Sequence, residues 1–387
     1  MCRLFLIFVL SQLALFGSTD FSDFDSYQGR WTRLEIEERL GLFLQKEGRI
    51  ASFFSIDQDQ LVLYNLPDTQ KDREVEYTLK FAHMKKKQPP KQNLQNLVGI
   101  KIAIDPGHFG GPYARLEERY IDIPPSLERS DCIQFDEGTL SLLTAKYLKI
   151  LLEKEGAIVS LTRDEVGKGV YEDGFFTWLK KNPSFWNRQL SLHGLFRKYF
   201  NPLDLRARAE KINAFAPDLS VVIHYNSHHA DEDSSSNHNT CSGNFNMAFI
   251  PGAFCRGELA EYENRYEFMR LLITEDLQNS LHLSKSIVDQ FGKHLRVPLV
   301  TKADNARYLE TVCLEAAKGV YARNLALTRL VHGPVCYGET LVQNNIDECV
   351  NLSKTDFVID GQKCSLRIKQ VAEAYFAGIK NYLLQTE

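Results

Sequence analysis

The chain has 387 residues, 44% of them hydrophobic and 25% charged, the balance of an ordinary globular protein with enough apolar material for a sizeable core. Its formal net charge of −4 excludes the broad basic surface that a duplex-binding protein needs, so no nucleic-acid partner is expected. The cysteines show no CxxC pairs, which excludes a structural zinc module of the usual spacing.

Residues 4–16 (LFLIFVLSQLALF) follow Arg3 and give way to a polar run from Ser18. This is the pattern of a signal peptide over residues 1–18, too short to span a bilayer comfortably, and no later stretch approaches the ~20 apolar residues that a stable membrane span requires. A retained N-terminal anchor is the alternative. An exported protein follows, placed in the periplasm or cell envelope. Export permits disulfides, and Cys241 with Cys255 is a candidate pair. Several of the other cysteines read as small buried hydrophobes.

After the signal, residues 19–84 form a small α+β module of open role: a short amphipathic helix over Ile36–Gln45 and two alternating strands over Gln60–Leu66 and Val75–Phe81. Residues 85–97 (KKKQPPKQNLQNL) cannot pack a core and read as a linker. From residue 98 to 387 strands alternate with helices, which predicts an α/β domain with a mainly parallel sheet. The expected elements are a strand at Ile100–Asp105, a helix at Leu140–Leu152 ended by Gly156, and a strand at Ile158–Thr162. A helix capped by Asp204 and running to Phe215 comes next, then a fully buried strand at Leu219–Ile223 and another at Phe245–Ile250. Helices near Glu258–Leu272 and Leu281–Phe291, a strand at Pro334–Thr340 and a closing helix near Leu366–Leu384 complete the chain.

Three predicted strands end in a group able to bind a metal or move a proton: IDPGH in His108, VVIH in His224 and CYGE in Glu339. Ligands of open α/β sheets sit at the carboxyl ends of strands. Glu137, just before the long amphipathic helix, can reach the same rim. Two imidazoles and a carboxylate make a set that binds Zn²⁺ while leaving a position open for water, whose pKa the ion lowers from ~15.7 toward about 7. A second carboxylate must then move the proton, and Glu339 is free for that role. Each residue also has an ordinary reading: a histidine as a hydrogen-bonded rim group, Glu137 as a partner of the helix dipole, Glu339 as half of a structural ion pair. Convergence of all four on one edge of one sheet favours the chemistry.

These residues also carry a resemblance. IAIDPGHFGG (102–111), EGTLSLLTAKYLKILLEKEGAIVSLTR (137–163), RAEKINAFAPDLSVVIHYN (208–226) and PVCYGETLVQNNIDE (334–348) resemble, in that order, the zinc-dependent N-acetylmuramoyl-L-alanine amidases. The likeness spans about residues 100–385. It implies a twisted sheet with helices on both faces, His108, Glu137 and His224 as zinc ligands, and Glu339 as the catalytic carboxylate. The implied reaction is hydrolysis of the amide between N-acetylmuramic acid and L-alanine in peptidoglycan. Arg208 matches a family arginine, with a core role and substrate contact both open.

Two stretches depart from the family: insertions at about 109–136 and 165–203, of a length common in lids and binding elements. Glu117, Glu118 or Glu128 of the first insertion would, as a fourth zinc ligand, block the water position, and a protein that opens the site is then the expected partner. His228, His229 and His238 lie in a polar stretch (HHADEDSSSNHNT) and read as surface loop rather than metal ligands. Two alternatives stand beside the amidase: a zinc peptidase acting on stem peptides, and an autoinhibited peptidoglycan-binding protein.

Overall fold

The computed structural model describes residues 20–44, 48–85, 96–125, 129–186, 189–228, 240–304 and 306–384. The expected signal segment and most of the expected linker lie outside the described residues. By internal contacts the chain divides into two units, the first built from the segment up to Gln88 together with Phe254–Thr274, the second from Pro89–Ala253 and Glu275–Glu387.

In the first unit, strands β1 (Phe54–Ile56), β2 (Gln60–Tyr64) and β3 (Val75–Lys80) form an antiparallel sheet. The predicted helix is shorter than expected. It runs over Arg33–Arg39, opened by a Thr32 and Glu35 capping box, and passes into a π turn over Leu40–Leu44. Three strands bury little apolar surface by themselves. The missing core comes from far along the sequence: the helix Tyr262–Ile273, which buries Tyr266, Phe268, Met269, Leu271 and Leu272. Tyr266 packs on Phe24 with ring centroids 4.6 Å apart and donates its hydroxyl to Asp23 at 2.9 Å. The Trp31 indole donates to Ile273 O at 2.8 Å, and Arg265 pairs with Glu76 at 2.9 Å. Residues 254–274, which the sequence reading assigns to the catalytic domain, therefore pack with the N-terminal segment.

The second unit contains β4 (Lys101–Pro106), β5 (Tyr120–Ile123), β6 (Ile133–Asp136), β7 (Ile158–Leu161), β8 (Leu219–Asn226), β9 (Met247–Ile250), β10 (Leu314–Ala317), β11 (Val320–Ala322), β12 (Val335–Val342), β13 (Phe357–Ile359) and β14 (Gln362–Cys364). Seven of these make one sheet in the order β10-β11-β9-β12-β8-β4-β7. Its pairs are parallel except β12 with β9 and β10 with β11. The expected α/β class with a mainly parallel, helix-flanked sheet is thus present. Every residue of β8 is buried, as its unbroken apolar run requires of a strand covered on both faces.

On one face Ala103, Val222 and Val335 pack with Ala209 and Ile212 of the helix Asn201–Phe215 and with Leu327. The helices Glu137–Lys154 and Asp276–Leu295 pack on the sheet, and Leu366–Leu384 packs against both of them. Asp204 does not cap its helix, which begins at Asn201. It lies buried in the first turn, where it accepts Val170 N at 2.6 Å and Tyr171 N at 2.9 Å. The short pairs β5–β6 and β13–β14 stand outside the main sheet.

Cys241 and Cys255 are not disulfide-bonded, which corrects the expected pair. Cys313, Cys336, Cys349 and Cys364 are buried, as small hydrophobes are. No helix among the described residues is long and apolar enough to cross a membrane.

Candidate metal centre

β4 and β8 run parallel, with Pro106 opposite Ile223, so the chain leaves β4 beside the end of β8. Two residues beyond β4, His108 adopts the left-handed conformation at φ 59°, a backbone cost of order 1–3 kcal/mol that persists only where the surroundings enforce it. Two buried arginines do so. Arg163 donates to Pro106 O at 3.1 Å, Gly107 O at 2.9 Å and Gly138 O at 2.8 Å. Arg208 donates to Pro106 O at 2.8 Å and His108 O at 3.2 Å. The same Arg208 pairs with Asp204 at 2.7 Å and Asp105 at 3.4 Å, and matching charge with charge makes this burial tolerable. Only 1% exposed, Arg208 fills the core role among its two expected ones.

Glu137 is the first residue of its helix, whose cap, Asp136, accepts Thr139 N at 2.8 Å. A carboxylate there faces the positive end of the helix dipole. Its Oε1 lies 2.9 Å from His224 Nδ1 and 3.3 Å from His108 Nε2, and accepts Tyr225 N at 3.2 Å. Its Oε2 accepts Gln343 Nε2 at 3.0 Å and lies 3.7 Å from Arg119 Nε. The imidazoles of His108 and His224 stand edge to face, centroids 4.7 Å apart, and Tyr337 stacks flat on His224 at 4.5 Å.

Donor atoms from His108, Glu137 and His224 all lie within 4.8 Å of one another. Two donors each ~2.0–2.1 Å from one tetrahedral zinc are about 3.3 Å apart, and the two contacts with Glu137 Oε1, at 2.9 and 3.3 Å, lie at or just below that value. The donor chemistry, two nitrogens and one oxygen, also suits zinc and leaves a position open. The sequence-predicted trio therefore comes together and fits the ion.

Glu339 is the register partner of His224 on the neighbouring β12, so both side chains lie on the same face of the sheet. A bulge follows between Thr340 and Val342, with Leu341 at φ 57°. Burial together with the negative charge of Glu137 pushes the Glu339 carboxyl up to about 8. Burial lowers the proton affinity of His108, yet the charges of Glu137 and Glu117 outweigh it and raise its pKa to about 9. His224 is lowered by burial.

Gly107 approaches His224 so closely that a Cβ there would lie 2.3 Å from Cε1 and 2.4 Å from Nε2. Gly107→Ala must push the imidazole away. We expect zinc affinity to fall on the order of 10–100-fold, the scale on which disturbed ligand orientation is felt, as read by competition with a chromogenic chelator.

Glu117 is no member of the trio. It contacts His108 through the other ring nitrogen, Oε1 to Nδ1 at 3.1 Å. Glu118 is 3.6 Å from His193, and Glu128 lies outside the described residues. His228 packs on Phe245 with centroids 5.4 Å apart and is not in the group, while His229 and His238 lie outside the described residues. Sequence reasoning named Glu117 only as a fourth zinc ligand, not as a partner of the His108 ring, and missed Arg119, Arg163, Tyr337 and Gln343. Gln343 alone had a signal, four residues beyond Glu339 on the same strand end.

Residues 102–381 match the family profile described as N-acetylmuramoyl-L-alanine amidase. No curated relative matches the chain. Among solved structures, similar chains include the CwlD amidase from Clostridioides difficile in complex with the GerS lipoprotein, at 18% identity and TM-score 0.42 over 74% of this chain and 98% of that one. Ami1 from Mycobacterium abscessus is similar at 17% identity and TM-score 0.42 over 74% and 99%. Ami1 from Mycobacterium smegmatis is similar at 14% identity and TM-score 0.43 over 75% and 99%.

Proposed function

Because the chain belongs to the N-acetylmuramoyl-L-alanine amidase family, we propose that it hydrolyses the amide joining the lactyl group of N-acetylmuramic acid to L-alanine in peptidoglycan, outside the cytosol. His108, Glu137 and His224 would hold a zinc ion. When bound, zinc polarises the amide carbonyl and makes water a stronger acid at neutral pH.

The rest of the work falls to side chains. Glu339 takes a proton from the attacking water and delivers it to the nitrogen of the departing L-alanine. Gln343 and the Tyr225 amide occupy lone pairs of Glu137 and so keep its carboxylate turned toward both imidazoles. Tyr337, stacked on His224, limits tilting of that ring. The observation that carries the reading is the meeting of three metal-binding donors from distant parts of the chain within 4.8 Å, with a fourth proton-carrying group in register beside them.

The test is digestion of purified peptidoglycan with and without a chelator, followed by mass analysis. Chelation should stop cleavage and added Zn²⁺ restore it, with products carrying a free N-terminal L-alanine and an intact lactyl acid. Fragments cut within the stem peptide would point instead to a peptidase. Cleavage indifferent to chelation would remove the metal from the mechanism.

A further inference from the structure

We infer that Glu117, carried by the first insertion, is a positioning residue that fixes the ring of His108 and thereby sets the affinity of the metal centre. This rests on reading His108 as a zinc ligand. The Glu117 side chain is 5% exposed, and both its oxygens are engaged within three residues of backbone. Oε1 meets His108 Nδ1 at 3.1 Å. Oε2 accepts Phe109 N at 2.9 Å and Gly110 N at 3.3 Å. One carboxylate thus grips the ring and the backbone that follows it. A proton held on Nδ1 by this carboxylate leaves Nε2, the nitrogen facing Glu137, with its lone pair free for a cation.

The need for such a grip follows from the backbone. His108 lies past the end of β4 in the left-handed region, so no strand ladder dictates where its ring points. Glu117 ends the short helix Ala114–Glu117, which Glu118 closes in a left-handed turn. The second insertion holds that helix in place. His193 Nδ1 meets Leu116 O at 2.6 Å, and Tyr113 stacks with Phe196 at 5.9 Å and with Phe176 at 6.4 Å. Phe109, Phe175, Trp178, Phe196 and Phe200 form the buried cluster beneath. Two segments that look like lids in the sequence are built here as a brace behind a ligand.

Glu117→Ala and Glu117→Gln test this in the full chain, by zinc titration against a chromogenic chelator, melting of the metal-free protein, and steady-state kinetics at graded zinc. Gln is the sharper variant, having the shape of Glu but only one acceptor oxygen. If that oxygen takes the backbone N–H groups, its amide faces Nδ1 and favours the tautomer whose Nε2 carries the proton. Both variants should bind zinc about 10–100-fold more weakly, with kcat low at limiting zinc, recovering as zinc is added, and KM unmoved. Wild-type zinc affinity in both variants would overturn the inference. So would kcat that excess zinc fails to restore, since that is a folding role, or kcat above wild type, since that is a blocking one. Wild-type protein and His224→Ala run alongside: if these two bind zinc equally, the zinc-centre reading itself has failed, and the brace falls with it.

Discussion

Glu339→Gln is expected to keep stoichiometric zinc and lose on the order of 10²–10⁴-fold in kcat, the usual contribution of a positioned acid or base. The substitution preserves side-chain shape and removes only the capacity to carry a proton. Glu339 lies outside the trio of close donors, so the ion should stay. Its surroundings suit the task, because burial raises the proton affinity of its carboxyl, the direction a group needs in order to take and return a proton near neutral pH. Binding of the glycan and peptide should be little altered, which places the loss in kcat rather than KM. Turnover on purified peptidoglycan, measured beside metal content, checks both halves. Near-normal kcat would remove Glu339 from the proposed mechanism.

His224→Ala is expected to lose the ion itself, with hydrolysis falling to background. His224 is 6% exposed, its Nδ1 is 2.9 Å from Glu137, and Tyr337 covers its face. Alanine would leave one imidazole and one carboxylate, a set too small for a catalytic zinc site of three protein ligands. The loss in affinity should therefore exceed the roughly 10–100-fold that outer partners contribute. Excess zinc should not restore activity, which separates this variant from Glu117→Gln. Metal analysis after gel filtration decides it, and retention of one zinc per chain would refute the ligand assignment.

What was legible in the sequence had a local cause. LSVVI, Leu219–Ile223, is largely apolar without alternation, the pattern of a strand covered on both faces, so β8 and its buried state could be read directly, though the strand runs on to Asn226. The long helix was equally plain from its spaced leucines, though it starts three residues earlier than expected because Asp136 caps it and Glu137 is its first residue. Asp204 misled because aspartate near a helix start usually caps. Here its side chain instead joins the helix to Val170 and Tyr171 and pairs with Arg208 one turn along the same helix. The hairpin β5–β6, the edge strand β10 and its neighbour β11 were missed, being three or four residues long, too short for a period to show.

By itself the sequence determined the α/β class of the second unit, the order of its longer strands and helices, and the grouping of His108, Glu137 and His224 with Glu339 beside them, since the parallel apolar strands of an open sheet bring their carboxyl ends to one edge. Tertiary structure alone decided the rest. It placed the helix Tyr262–Ile273 with the N-terminal strands and kept Cys241 and Cys255 from bonding. It also set Glu117 against Nδ1 of His108 rather than within the trio. The reason is physical: periodicity reports which face of an element is buried, but which partner buries it, and which ring nitrogen a carboxylate reaches, depends on the paths of loops whose residues carry no period.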